Sequence, residues 1–101
     1  MEAVVKILSA DGARLMGLKD RGRIAPGLKA DINVIDYDRL QLDVPHVAYD
    51  LPGGGRRLLQ DARGYVATMV SGQITRRDGC PTGALPGVLV RGAAFRAELA
   101  Q

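Results

Sequence analysis

From Arg21 onward, glycine and proline interrupt the chain at short intervals. The interruptions lie at Gly22, Pro26, Gly27, Pro45, Pro52, Gly53 to Gly55, Gly64, Gly72, Gly79, Gly83 and Gly87. Because these residues end helices and mark turns, long helices are excluded from this part of the chain. The runs between them are rich in β-branched and aromatic residues, which favours short strands. The sequence therefore predicts a mainly β fold beyond residue 21.

Four of these runs are predicted strands. They cover residues 31–36, 44–49, 65–70 and 73–76. Ser71 and Gly72 separate the last two, which predicts a hairpin with Gly72 at positive φ. A second turn is predicted at residues 77–79.

The first 18 residues are predicted to be helical, because Val4, Ile7 and Leu8 recur at helical spacing. Ser9 or Asp11 is expected to cap a second short helical turn. Gly17 is expected to end the helix in the left-handed conformation.

The composition, 47% hydrophobic and 25% charged, is that of an ordinary globular domain, and 101 residues suffice for one small domain. We divide the chain into a helical segment (1–18), a β domain (19–92) and a tail (93–101) whose composition favours a helix. No apolar run reaches the roughly 18–20 residues of a membrane helix, so no membrane partner is expected. The single cysteine, Cys80, cannot form an internal disulfide, and a cytoplasmic location is expected.

The charge is mildly basic, because 14 Lys and Arg residues face 11 Asp and Glu residues. The bases are spread along the chain, and only Arg56-Arg57 and Arg76-Arg77 are adjacent. No aromatic residue lies between clustered bases, as a platform for single-stranded nucleic acid requires. We interpret the arginines as solvated surface charge and keep a basic β module for nucleic acid as the minor alternative.

His46 and Cys80 are the only histidine and the only cysteine. A catalytic zinc site needs three protein ligands, so these two residues cannot make the usual nitrogen and sulfur ligand set. We interpret His46 as an ordinary strand or loop residue and Cys80 as an incidental turn residue. The sequence predicts no catalytic, cofactor-binding or metal-binding residues and no cofactor for this chain.

Two further patterns have a weak functional interpretation. Asp36, Asp38 and Asp43 do not match a calcium-binding loop, so turn and cap roles are expected. The run Gly53–Gly55 with Arg56-Arg57 lacks the Lys-Ser/Thr and the helix that follow a phosphate-binding loop. We interpret it as a flexible connection.

Two stretches resemble the amidohydrolase superfamily. Residues 22–36 (GRIAPGLKADINVID) resemble its pattern Gly-x-Ile-x-x-Gly-x-x-Ala-Asp followed by an apolar strand, and residues 66–75 with Asp78-Gly79 resemble its last hairpin. The resemblance implies that the first stretch leads from a catalytic barrel into a small β-sandwich. We expect Gly27 at positive φ and Asp31 bonded to nearby backbone.

Within the superfamily, the chain is most similar to D-aminoacylases and related N-acyl-D-amino-acid deacylases. The residues that carry this likeness are 13–18, 20–22, 49–60 (YDLPGGGRRLLQ) and 82–87 (TGALPG). The resemblance implies an α+β fold, mainly β with a flanking helix, that forms part of a composite β-sandwich without the (β/α)8 barrel. It also implies zinc-dependent hydrolysis of N-acyl-D-amino acids in intact members. No residue here matches one of their catalytic or metal-binding residues.

These considerations lead to two main hypotheses. The first is a structural, non-catalytic C-terminal portion of such an enzyme; the second is a stand-alone binding or oligomerisation module derived from it. The resemblance implies missing sandwich strands, so the expected partner is a second copy or the missing N-terminal and barrel part. The residues expected together on one uncovered apolar face are Ile32, Val34, Ile35, Val66, Met69, Val70 and Ile74.

Overall fold

A computed structural model describes residues 1–92 of the chain. The tail 93–101, for which a helix is predicted, lies outside the described residues. The described part consists of an N-terminal helical segment followed by eight short antiparallel strands, with no barrel, which confirms the predicted α+β class.

The helical segment comprises α1 (Glu2–Lys6), a π-helical stretch (Ile7–Asp11) and α2 (Gly12–Leu15), which follow one another without a break. The expected cap at Ser9 or Asp11 is wrong. Asp11 has helical dihedral angles (φ −69°, ψ −39°) and makes no capping hydrogen bond. Its carboxylate instead pairs with Lys6 and Arg14. A side chain that pairs along the helix surface leaves the backbone free to continue as helix.

Gly17 ends the helical segment, as predicted. Its φ is +71°, the Gly17 amide donates to the Arg14 carbonyl, and the Leu18 amide donates to the Ala13 carbonyl at 2.8 Å. These two bonds define a Schellman motif, in which a left-handed residue lets the chain satisfy the last carbonyls of a helix.

Four strands form the main sheet in the order β1-β6-β7-β8, with every neighbouring pair antiparallel. They are β1 (Ile32–Ile35), β6 (Tyr65–Val70), β7 (Gln73–Arg77) and β8 (Cys80–Pro81). The predicted strands at 31–36, 65–70 and 73–76 are confirmed. Cys80 begins the short edge strand β8, where a turn residue was expected.

The predicted hairpin turn and the second predicted turn both have positive φ at their two central residues. Ser71 and Gly72 have φ of +51° and +79°, and Asp78 and Gly79 have +49° and +81°. Positive φ at both positions is the mark of a type I′ turn, whose twist matches that of the strands it joins. Gly27 also has positive φ, as predicted.

Replacing Gly72 with valine is expected to lower the free energy of unfolding by about 1 kcal/mol or more, because a β-branched residue is strained in the left-handed region. A Cβ at Gly72 would meet no atom within 4 Å, so the expected cost comes from backbone strain. Gly87→Val is the control, since Gly87 has neither positive φ nor a close neighbour. Urea denaturation at equal protein concentration measures both; equal midpoints for the two variants would contradict the turn assignment.

The long connection between β1 and β6 is a two-stranded ribbon, residues 41–63, which we call the arm. Its strands are β2 (Gln41–Leu42), β3 (His46–Leu51), β4 (Gly55–Leu59) and β5 (Ala62–Arg63). β2 pairs with β5 and β3 with β4. The Pro52–Gly54 segment, interpreted from sequence as a flexible connection, is a 3-10 turn with Gly53 and Gly54 at positive φ that reverses the chain between β3 and β4.

Within the described residues, Ala67 on β6 is the only buried hydrophobic side chain. The prediction of a single apolar sheet face is wrong. The register pairs Met69 with both Ile32 and Ile74 on one face, while alternation along β6 turns the next residue, Val70, to the other. Apolar residues on both faces are typical of strands that are covered on both sides.

Candidate functional site

The superfamily-like segment 22–36 is held to the last hairpin by Asp31. The Asp31 carboxylate accepts a hydrogen bond from the Ser71 amide at 2.9 Å, and the Gly72 amide donates to the Ala30 carbonyl at 3.0 Å. Asp31 thus makes a side-chain to backbone bond, but to a strand turn 40 residues away rather than to the neighbouring backbone that was expected. The motif aspartate therefore fixes the start of β1 against the β6–β7 turn.

Arg21 joins this contact to the loop that follows the helix. Its guanidinium makes two hydrogen bonds to Asp20, at 3.0 and 3.2 Å, and lies 3.6 Å from the Asp31 carboxylate. The hydrogen bond with Asp20 raises the pKa of Arg21, a shift that burial opposes. Because Arg21 stays protonated in any case, these contacts hold the loop rather than provide an acid or a base.

Gly22 allows the helical segment to lie directly against this loop. A Cβ at Gly22 would be 2.6 Å from the Ala13 Cβ and 2.9 Å from the Ser9 carbonyl oxygen. The helix therefore meets the loop through its Ser9 and Ala13 side. Its large apolar residues Val4, Ile7, Leu8 and Leu15 are each more than half exposed.

A cleft of about 450 Å³ lies where the base of the arm meets the sheet. The side chains that give it chemical character are Asp61, Tyr65, Arg76, Asp78 and Cys80. A smaller cleft, about 180 Å³, shares Tyr65 and Asp78 with it. Arg76 donates to the Gly79 carbonyl at 2.8 Å, so it helps close the β7–β8 turn. The cleft contains neither a histidine nor a nucleophile paired with a base, so it has no catalytic arrangement of the usual kinds.

Side chains alternate along the strands of the arm, so each pair of strands has two faces. In the β3–β4 pair, Val47 lies opposite Leu58 on one face, and His46 lies opposite Leu59 on the other. Two ion pairs brace the arm: Asp43–Arg63 at its base and Asp50–Arg57 between β3 and β4. Hydrogen bonds from Arg57, one of them 2.7 Å long, hold the pKa of Asp50 below its usual value.

The structure does not bring the candidate residues from the sequence together. His46 begins β3 opposite Leu59, whereas Cys80 lies on the edge of the sheet as a free, exposed thiol. Asp36 lies 4.0 Å from Arg39, Asp43 pairs with Arg63 at 2.9 Å, and Asp38 is in the short Tyr37–Arg39 turn. These three aspartates therefore do not form a cluster.

The zinc that the resemblance implies for intact enzymes does not fit the residues present. Across residues 1–92, no three His, Cys, Asp or Glu side chains lie close enough to hold a metal ion. Nor does any helix of that region combine the length and hydropathy that a membrane crossing requires.

Comparison with known proteins identifies the class to which this helix, sheet and arm belong. The amidohydrolase family model matches residues 1–76, so the chain belongs to the amidohydrolase family. No solved structure matches it.

Two curated relatives illustrate how much of an enzyme the chain represents. Adenine deaminase of Cereibacter sphaeroides strain KD131 is 48% identical over 52 residues, which are 52% of this chain and 8% of the deaminase. Imidazolonepropionase of Ruegeria sp. strain TM1040 is 53% identical over 32 residues, which are 32% of this chain and 8% of that enzyme. The matched part of the chain thus spans about 8% of the length of these relatives.

Proposed function

We propose that this chain is the C-terminal β-sandwich portion of a zinc-dependent amidohydrolase that hydrolyses N-acyl-D-amino acids. Its role is structural: the sheet completes the small domain, and the helical segment packs against the catalytic part. The observation that carries this proposal is the lack of a core, since Ala67 is the only buried hydrophobic residue described while the helix and the arm expose large apolar side chains. A stable domain normally encloses its own core, so these surfaces call for more polypeptide.

The substrate class rests on residues that resemble the deacylase branch. These are the LPGGGRR run at 51–57 and the GALPG run at 83–87. In the structure, the first run ends β3, forms the turn Pro52–Gly54 and begins β4.

The test is complementation. A D-aminoacylase polypeptide that ends before the segment matching Glu2 is co-expressed with this chain, and hydrolysis of an N-acetyl-D-amino acid is measured. Restored activity with the chain, and none without it, is the expected result. A chain that neither binds this polypeptide nor restores activity would favour the stand-alone binding module instead.

A second candidate is a portion of an adenine-deaminating enzyme, and the 48% identity to adenine deaminase favours it. The same experiment, run with an adenine deaminase polypeptide truncated at the corresponding point and with adenine as substrate, distinguishes the two. Activity restored with adenine alone would reassign the substrate class.

The isolated chain is expected to bind no stoichiometric zinc and to catalyse no deacylation, because one histidine and one cysteine cannot supply three ligands. Elemental analysis of untagged protein and an assay with an N-acetyl-D-amino acid check this. About one zinc per chain that survives a chelator rinse would contradict it. Hydrolysis that a His46→Ala variant abolishes would do so as well.

A further inference from the structure

The β6–β7 turn holds a serine in the left-handed region of backbone conformation. Ser71 has φ of +51°, and the only other described non-glycine residue with positive φ is Asp78, in the second turn. Aspartate tolerates this conformation because its short polar side chain can bond locally, whereas serine is not among the residues that a type I′ turn favours there. A residue strained in this way keeps its conformation only where the surroundings hold it.

The support for Ser71 comes from outside the hairpin. The Asp31 carboxylate, directly before β1, accepts a hydrogen bond from the Ser71 amide at 2.9 Å. The next amide, that of Gly72, donates to the Ala30 carbonyl at 3.0 Å. A hydrogen bond to a charged group is stronger than one between neutral groups, so Asp31 is the principal anchor of the turn.

Arg21 in turn orients the Asp31 carboxylate. Its Nε and one Nη donate to the two oxygens of Asp20, and its other Nη lies 3.6 Å from Oδ2 of Asp31. The Ser71 amide bonds to the other oxygen, Oδ1. The Arg21 side chain is 19% exposed, the lowest value among the ion-paired cations of residues 1–92. A guanidinium held by a two-pronged bond is a rigid partner, so the position of Asp31 depends on it.

The loop that carries Arg21 is also fixed to the helical segment. Gly22 lies so close to the helix that an added Cβ would be 2.6 Å from the Ala13 Cβ. One short loop therefore contacts the helix directly and reaches the β6–β7 turn through Asp31.

We propose that Arg21 is a positioning residue that couples the helical segment to the β6–β7 turn, by holding Asp31 where its carboxylate keeps Ser71 in the left-handed conformation. A partner that shifts the helical segment therefore also loosens the turn. This goes beyond the structural role proposed above and is the same for either substrate class.

Amide hydrogen exchange of the whole chain, followed residue by residue at equal protein concentration, tests the proposal. Among the described residues, no hydrogen bond or ion pair joins Arg21 directly to Ser71 or Gly72. In Arg21→Gln, the amides of Ser71 and Gly72 are nevertheless expected to exchange about ten-fold faster, because a bond to a charged acceptor is loosened. The Asp78 amide, which donates to the Val66 carbonyl at 2.9 Å, is the internal control and is expected to be unchanged.

Two further variants test the coupling in the other direction and its specificity. In Asp31→Ala, the Leu18 amide, which donates to the Ala13 carbonyl at the helix end, is expected to exchange faster by about three-fold or more, because Arg21 loses one of its anchors. Arg14→Gln is the matched control, since it removes an exposed arginine that pairs with Asp11 on the helix surface. It is expected to leave the turn amides unchanged.

A glycine background shows whether Arg21 acts through the conformation of Ser71. In Ser71→Gly, the left-handed conformation needs no support, so adding Arg21→Gln is expected to change exchange of the Gly72 amide by less than about two-fold. Substitutions that share no partner act independently, and an independent effect of Arg21 would be as large in this background as in the native chain.

Unchanged exchange at Ser71 and Gly72 in Arg21→Gln would mean that Asp31 holds the turn without Arg21, and the proposal would be wrong. Equal acceleration at Asp78, or the same acceleration in Arg14→Gln, would indicate a general loss of stability and overturn it as well. An unchanged Leu18 amide in Asp31→Ala would remove the coupling to the helix. Should Arg21→Gln fail to fold, Arg21→Lys decides by the same comparison, because a single ammonium does not reproduce the two-pronged bond to Asp20.

Discussion

Replacing Gly64 with alanine is expected to be the most damaging single methyl addition in the arm and its connection to the sheet. Gly64 has φ of +95°, and its Cβ would lie 2.7 Å from the Leu40 Cα and 2.8 Å from the Leu40 nitrogen. These are backbone atoms, so no rotamer change relieves the clash. Strain in the left-handed region costs about 1–2 kcal/mol and forced backbone shifts about 1–3 kcal/mol, so the expected loss of stability is roughly 2–5 kcal/mol.

The consequence for structure is local to the base of the arm. The Gly64 carbonyl accepts a hydrogen bond from the Asp36 amide at 2.8 Å, and this bond lies where β1 and β6 separate into the arm. Gly79→Ala is the control, because Gly79 has similar φ (+81°) but no atom within 4 Å of a Cβ. Urea denaturation and amide exchange of the arm are measured for both. Equal losses of stability in Gly64→Ala and Gly79→Ala would show that the close approach to Leu40 adds nothing to the cost of the methyl group.

Replacing Gly22 with alanine is expected to displace the helical segment from the loop that follows it. The added Cβ would lie 2.6 Å from the Ala13 Cβ and 2.9 Å from the Ser9 carbonyl, at φ of +98°. We expect a loss of about 2–5 kcal/mol, again the sum of left-handed strain and forced shifts. The far-ultraviolet circular dichroism signal of the helix should fall, since a helix of this length depends on tertiary packing.

The control variant Gly27→Ala separates the cost of backbone strain from the cost of the steric contact with the helix. Gly27 has φ of +85° and no atom within 4 Å of a Cβ. The Gly27→Ala variant should therefore lose stability through backbone strain alone, and its helical circular dichroism signal should be unchanged. If Gly22→Ala retains the helical signal and unfolds at the same urea concentration as Gly27→Ala, the helix does not depend on this contact.

The elements that could be predicted from the sequence are those with a local signal. β6 and β7 are rich in β-branched residues and are separated by Ser71-Gly72, and Gly17 follows the last helical residues directly. β4 escaped prediction because its sequence, GRRLL, has no β-branched residue and becomes a strand through pairing with β3. Strand formation by pairing depends on the partner more than on intrinsic propensity.

The contacts that build the candidate site are long-range, and this limited their prediction. The bond from Asp31 was expected, but its donor, the Ser71 amide, is 40 residues away. The glycines at 22 and 64 were recognised as turn residues, whereas their close approach to Ser9 and Leu40 follows from the assembled fold. The single apolar sheet face was mispredicted because it included both Met69 and Val70, and neighbouring residues of a strand point to opposite faces.

The central claim is that this chain does not enclose its own core, and its state of association in isolation tests that claim most directly. Exposed apolar surface of several hundred Å² is rare on a stable monomer, and an open sheet edge recruits further strands. Light scattering after size exclusion, over a wide concentration range, is expected to show self-association, with a dimer as the first species, and unfolding that depends on protein concentration. A monomer at high concentration that unfolds cooperatively and independently of concentration would contradict the account.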